Sequence, residues 1–185
     1  MNTLPETTRT LLQNYDSADE NEAAHHRRML ALAEQGTRAF EREHWMPGHF
    51  TASAFVLSPD SARLLLILHG KLGLWLQPGG HVEVEDGDIT AAAKREVLEE
   101  TGLCSVELVQ AAPLDLDIHL IPERKGTPAH EHFDVRFLFR AASDQYQAQS
   151  DAVAARWVRL RDLDGLQTDE SVMRAVRKIR ALLAP

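Results

Sequence analysis

A glycine-containing segment near the middle of the chain constrains the fold more than any other part. It comprises residues 79–103. Its sequence is GGHVEVEDGDITAAAKREVLEETGL, in which a double glycine and an acidic loop precede a run of helix-forming residues. Asp88 or Thr90 can cap the start of this helix, and Gly102 can end it. The segment therefore predicts a loop–helix–loop whose helix has about three and a half turns.

Three glutamates of this helix share one face, because Glu96, Glu99 and Glu100 are spaced at i, i+3 and i+4. Like charges at this spacing oppose helix formation by roughly 0.2–0.5 kcal/mol per pair. The face is therefore either solvated or neutralised by a bound cation. Taken alone, the three glutamates favour a solvated acidic face.

The residues on both sides of this segment predict a sheet. Residues 51–57 and 62–68 are rich in apolar side chains and are separated by the turn-forming residues 58–61, so they predict a hairpin. Residues 104–121, broken at Pro113, and residues 155–160 predict further strands. Strand alternation in residues 132–140 places four apolar side chains on one face: Phe133, Val135, Phe137 and Phe139.

Helical patterns occupy both ends of the chain. Residues 11–43 carry few turn signals except at 16–20, which predicts two helices, and residues 169–183 repeat apolar side chains at helical spacing. His25 and His26 are adjacent and point in different directions on a helix, so we expect a solvated face rather than a metal site. We divide the chain into an N-terminal helical extension, residues 1–46, and a domain of residues 47–185.

Composition excludes several classes of function. The formal net charge is −8 and the basic residues are scattered, so we expect no binding of bulk nucleic acid. Cys104 is the single cysteine, which excludes an internal disulfide and a cysteine-built zinc site, and we expect it to be buried as a small hydrophobe. No apolar run approaches the ~20 residues of a transmembrane helix and the N-terminus lacks a signal pattern, which predicts a cytoplasmic protein without a membrane partner.

The central segment closely resembles the Nudix box, written as G, five residues, E, seven residues and REUXEEXGU, where U is aliphatic. Residues 95–103, REVLEETGL, match the second half at every fixed position. The first half departs from the pattern, because Asp86 replaces the glutamate and one extra residue precedes Arg95. Asp88 is the alternative equivalent of that acid.

The resemblance extends to residues 48–54, 75–81 and 130–137, which look like segments of one bacterial subgroup of Nudix proteins. It implies an α+β fold, an α/β/α sandwich around a curled mixed sheet, with the N-terminal helices outside the general fold. It also implies a divalent-metal-dependent hydrolase that cleaves a diphosphate linkage in a nucleoside-diphosphate-linked or related small molecule, by attack of water on phosphorus.

The same resemblance assigns roles to residues of the box. Gly79, through its carbonyl, and Glu96, Glu99 and Glu100 would ligate Mg²⁺ or Mn²⁺, and these glutamates would be catalytic, with Glu96 a candidate base. The oxygen ligands agree with the preference of hard cations. Gly80, Asp86 and Arg95 would support the box loop, with Arg95 pointing away from the Glu99–Glu100 face and pairing with Asp86.

Several residues outside the helix keep two interpretations. His81 is either a packed histidine or a substrate contact, and Trp75 either belongs to the core or stacks on a base. The cluster His130, Glu131, His132 and Asp134 is either a surface strand or a pocket rim that offers substrate or extra metal contacts. We expect the remaining histidines at 49, 69 and 119 to be structural.

Two other functions compete with hydrolysis. A Nudix-fold module could bind a nucleotide-like ligand without cleaving it, although such proteins typically lack one or more of the box glutamates that this chain keeps. An isoprenoid diphosphate isomerase would require an active-site cysteine, and Cys104, just after the box helix, is badly placed for that role. The helical N-terminus and the apolar C-terminal helix would suit a homodimer.

Overall fold

The computed structural model describes residues 3–124, 126–146 and 152–184. In chain order its elements are α1 Leu4–Gln13, α2 Glu20–Ala33, β1 Gly48–Leu57, β2 Arg63–His69, β3 Leu74–Leu76, β4 Gly79–His81, α3 Ile89–Thr101, β5 Val106–Leu108, β6 Asp115–Ile121, β7 His130–Ala141, β8 Ala152–Arg159 and α4 Glu170–Leu182. Short 3₁₀ turns lie at Gly36–Phe40, Val84–Asp86 and Leu160–Gly165. None of the helices in these ranges is long and apolar enough to cross a membrane.

The strands of the described residues form one mixed sheet. Its centre is the parallel pair β1 and β7, which run in register from Gly48 opposite Glu131 to Leu57 opposite Arg140. The other pairs are antiparallel: β1 pairs with β2 and β4, β7 with β5 and β6, and β2 with β3 and β8. The hairpin of β1 and β2 and the mixed sheet are as predicted.

Helices cover both faces of this sheet, which confirms the predicted α+β sandwich. On one face, α1, α2 and α3 pack on the apolar side chains of β1 and β7, including the predicted row Phe133, Val135, Phe137 and Phe139. On the other face, α4 packs on β2 and on the distal part of β1. Ala92 and Ala93 are fully buried, and their small side chains allow α3 to lie close to the sheet.

The N-terminal residues form two helices, as predicted, but with different bounds. The first begins at Leu4, seven residues before the predicted start, because Thr3 and Glu6 form a capping box and Pro5 suits a first turn. The expectation of a solvated His25–His26 face is wrong. Both side chains are half-buried, and they form hydrogen bonds with the carbonyls of Leu116 and Leu12.

The helix of the central segment follows the predicted signals. Asp88 caps α3 by accepting a hydrogen bond from the Ala91 amide at 2.8 Å, and Gly102 ends the helix with φ of 68°. The prediction of a buried Cys104 is wrong, because the thiol is exposed. The reason is that β5 begins only at Val106, so Cys104 lies in the connection rather than in the strand.

Candidate active site

The double glycine lies between the sheet and α3. Gly79 and Gly80 belong to β4, which pairs with the N-terminal half of β1. A Cβ atom on Gly79 would lie 2.3 Å from Ser53 Cβ, and one on Gly80 would lie 2.5 Å from Glu96 Oε1. At Gly79 the close approach to the neighbouring strand requires glycine, and at Gly80 the missing side chain leaves room for the Glu96 carboxylate directly against the main chain.

Arg95 joins the acidic loop to α3. Its Nε and Nη2 donate to the two carboxylate oxygens of Asp86 at 2.8 and 3.1 Å, and Nη2 also donates to the His81 carbonyl at 2.8 Å. Its Nη1 donates to Glu96 Oε1 at 2.9 Å and to Glu99 Oε2 at 3.1 Å. The fork-shaped guanidinium therefore holds the loop and two box glutamates at once.

This geometry answers two questions that the sequence left open. Asp86 rather than Asp88 pairs with Arg95, while Asp88 caps the helix. The expectation that Arg95 points away from the Glu99–Glu100 face is wrong for Glu99, because a long side chain at i reaches a carboxylate at i+4.

The three glutamates differ in their surroundings. Glu96 is largely buried, and burial raises its pKa above the usual range even though the Arg95 charge acts to lower it. The Glu99 side chain is 52% exposed. Glu100 accepts a hydrogen bond from the Gly79 amide at 3.0 Å. One helix face therefore offers a shielded, an exposed and a main-chain-bound carboxylate.

The donor set fits a hard divalent cation. Asp86, Glu96, Glu99 and Glu100 supply four carboxylates against the single guanidinium of Arg95, and their oxygens are the ligands that Mg²⁺ prefers. In this arrangement the three glutamates do not converge, because two of them contact Arg95 and the third contacts Gly79.

Asp134 and Glu131 lie outside this acidic site. Asp134 is only 3% exposed and accepts hydrogen bonds from Ser53 Oγ at 2.8 Å and Arg136 Nε at 2.9 Å. Glu131 forms an ion pair with Arg28 of α2. Asp134 is therefore a buried partner of Arg136, which neither the surface-strand nor the pocket-rim interpretation anticipated.

Two other predicted residues, His81 and His132, lie together with a third that the sequence did not single out for a site. The His49 ring is 5.0 Å from the His81 ring and 4.9 Å from the His132 ring. The cause is strand pairing, since His49 and His132 are opposite one another in β1 and β7 and His81 pairs beside them in β4. Only knowledge of the parallel pairing would have identified His49.

The comparison with models of protein families identifies the family to which this chain belongs. The model of the NUDIX domain matches residues 47–178, which include the whole sheet and the acidic site. The chain belongs to the Nudix hydrolase family. The predicted family resemblance is thereby confirmed, and the segment of this Nudix protein that resembles the box corresponds to β4, the acidic loop and α3.

Solved Nudix structures share the fold. A NUDIX-family hydrolase from Clostridium perfringens is 25% identical, with a TM-score of 0.55, over 72% of this chain and 97% of that one. An Ap4A hydrolase from C. elegans is 20% identical, with a TM-score of 0.58, over 72% and 96%. The NUDIX domain of Shewanella oneidensis NrtR, complexed with ADP ribose, is 20% identical, with a TM-score of 0.52, over 73% and 88%. No curated protein matches.

Proposed function

We propose that this Nudix protein is a Mg²⁺- or Mn²⁺-dependent hydrolase that cleaves a diphosphate linkage in a nucleoside-diphosphate-linked or related compound. The observation that carries the proposal is the complete second half of the box on α3. Glu96, Glu99 and Glu100 share one helix face, and two of them, Glu96 and Glu100, lie directly against Gly79 and Gly80 of β4. Such a group of carboxylates beside a close main-chain approach suits a metal-bound diphosphate.

Each residue of the box then has a distinct task. The Gly79 carbonyl and the carboxylates of Glu96, Glu99 and Glu100 would hold the cation, which when bound neutralises phosphate charge and acidifies a water molecule. Glu96 is the candidate base, because its raised pKa suits a group that accepts a proton. Arg95 and Asp86 hold the loop at a constant distance from α3.

The substrate class is supported by two of the structural neighbours. One is named as an Ap4A hydrolase and the other is a complex with ADP ribose. In both compounds an adenosine is joined to a second group through phosphate anhydrides, so both fit the proposed class. At 20% identity these neighbours share the fold, and the substrate of this chain is a matter for direct assay.

The experiment is a screen of the purified protein with Mg²⁺ against nucleotide sugars, dinucleoside polyphosphates, coenzyme A, dinucleotide cofactors and oxidised nucleoside triphosphates. We expect hydrolysis of at least one compound, and a loss of at least about 100-fold in the Glu99→Gln, Glu100→Gln double variant, because two metal ligands are removed. The matched control is Glu107→Gln, an exposed acid on β5. Equal activity in the double variant would refute the proposal.

Binding without cleavage is the second candidate, because one structural neighbour is a NUDIX domain in complex with ADP ribose. Calorimetric titration with the same compounds discriminates the two functions. A binding module would show affinity for a nucleotide-like ligand in the presence of Mg²⁺ without release of phosphate or monophosphate.

Cytoplasmic location and a homodimer remain predictions of the sequence.

A further inference from the structure

Five of the nine histidines gather at one end of the polar sheet face. They are contributed by four strands: His49 from β1, His81 from β4, His119 from β6, and His130 and His132 from β7. Their ring centroids lie 4.9–5.4 Å apart in six contacts. The register explains the gathering, since His132 is opposite His49 on one side and His119 on the other.

His49 is the centre of this group. His49 is 1% exposed, and neither ring nitrogen forms a hydrogen bond of good geometry with a described residue, although the main chain of His44 lies near the ring. Buried nitrogens without a partner are unfavourable and uncommon in proteins. The imidazoles of His81, His130 and His132 surround the ring at 4.9–5.1 Å. The surroundings of His49 therefore call for a ligand that accepts electron pairs from several imidazoles.

The rings of His49, His81 and His132 can act as such donors when they are neutral. A neutral imidazole keeps one nitrogen lone pair free for a metal ion.

We propose that His49, His81 and His132 bind a divalent transition-metal ion of the Zn²⁺ class, at a site distinct from the box glutamates. One ring nitrogen from each histidine lies within 4.8 Å of the others. Zn–N bonds of about 2.0–2.1 Å place tetrahedral nitrogens about 3.3 Å apart, so small ring rotations complete the site. Three histidines leave a fourth position for water or a substrate oxygen.

The two sites differ in the metal that they select. Imidazole nitrogens favour Zn²⁺, Co²⁺, Ni²⁺ and Cu²⁺, whereas the carboxylates of Glu96, Glu99 and Glu100 favour Mg²⁺ and Mn²⁺. They are also adjacent. His81 follows Gly80, which lies against Glu96, and its carbonyl accepts a hydrogen bond from Arg95. Excess Mg²⁺ therefore occupies the glutamates while a transition metal titrates the histidines.

The test is a Co²⁺ titration of the chelator-treated full chain in excess Mg²⁺, followed by visible absorption and by metal analysis after gel filtration. We expect one equivalent of Co²⁺, displaced by Zn²⁺. His81→Gln and His132→Gln should each weaken binding by at least about tenfold, since each removes a ligand. The Glu99→Gln, Glu100→Gln double variant should still bind Co²⁺, which separates this site from the proposed hydrolytic one.

His69→Gln is the matched control, because His69 lies at the end of β2 outside the group. It should bind like the wild type. His49→Ala removes a buried side chain, so its circular dichroism is compared with that of the wild type before its Co²⁺ binding is interpreted. Because His81 is only half-buried, we expect His81→Gln to keep the fold. If the wild type binds no Co²⁺, or if His81→Gln and His132→Gln bind it unchanged, the proposal is overturned and water satisfies His49 instead.

Discussion

At the residue scale, a few side chains control the geometry of the box. Arg95 makes five hydrogen bonds, to Asp86, Glu96, Glu99 and the His81 carbonyl. Gly80 has no side chain, and the Glu96 carboxylate occupies the space that a Cβ atom would fill. The position of Glu96 therefore depends on one residue that holds it and another that gives it room.

Replacing Arg95 by lysine tests the first of these dependences. A lysine has a single nitrogen and cannot reproduce the forked contact with Asp86, so we expect Arg95→Lys to lose about 2 kcal/mol in the free energy of unfolding. Urea denaturation measures the loss. The control is Arg177→Lys, whose exposed ion pair with Glu170 on α4 should contribute almost nothing. Equal losses in both variants would contradict the stabilising role of the Arg95 contacts.

Replacing Gly80 by alanine tests the second. The added methyl would meet Glu96 Oε1 at 2.5 Å and displace the flexible end of that side chain rather than the backbone. We expect the hydrolysis rate to fall about 100-fold, the effect of a misplacement of about 1 Å, with circular dichroism unchanged. Gly165→Ala, where nothing lies within 4 Å, is the control. Full activity in Gly80→Ala would show that the Glu96 position is unimportant.

At the element scale, a buried network of charges joins strands to helices. Arg136 of β7, whose side chain is 2% exposed, pairs with Asp115, Asp117 and Asp134. Arg174 of α4 pairs with the same two aspartates of β6. Because Asp115 and Asp117 each have more than one cationic partner, the packing of α4 and the register of β6 depend on each other.

Removal of the central cation should be costly. Arg136→Met leaves buried carboxylates with less compensating charge, so we expect a loss of about 3–5 kcal/mol in unfolding free energy. Arg140→Met, near the exposed end of the same strand, is the control and should change little. Urea denaturation of the two variants measures their free energies of unfolding. Similar urea midpoints would show that the network does not stabilise the fold.

Asp117 adds a pH dependence at the same scale. Burial alone would raise its pKa, but the hydrogen bond with His119 and the charges of Arg136 and Arg174 lower it well below the usual value. As the pH falls, Asp117 is therefore protonated in the unfolded chain before it is protonated in the folded protein. Its contribution to the free energy of unfolding is lost as the pH falls below about 4.

The check compares the wild type with Asp117→Asn. Below about pH 4, the free energy of unfolding should fall more steeply with decreasing pH for the wild type than for Asp117→Asn. The difference in slope should be up to about 1.4 kcal/mol per pH unit for one proton. Thermal and urea unfolding at several pH values give the slopes. Parallel slopes would mean that Asp117 is not responsible.

At the scale of the whole molecule, the N-terminal and C-terminal helices are integral parts of the domain core. Leu12 of α1 and Met29 of α2 are fully buried in the core beneath β1 and β7. Val176 and Ile179 of α4 are fully buried against the other sheet face. The apolar face of α4 therefore packs inside its own chain, and a homodimer would need a different surface.

Local patterns in the sequence determined the hairpin, the bounds of α3 and the shared face of Glu96, Glu99 and Glu100, because caps, turns and periodicity act within a few residues. The α+β class followed from the resemblance to the Nudix box. Tertiary structure alone decided the rest. The parallel pairing of β1 with β7 brings together His49 and His132, which are separated by more than eighty residues. Such contacts depend on strand register and on loop closure, which no short pattern encodes.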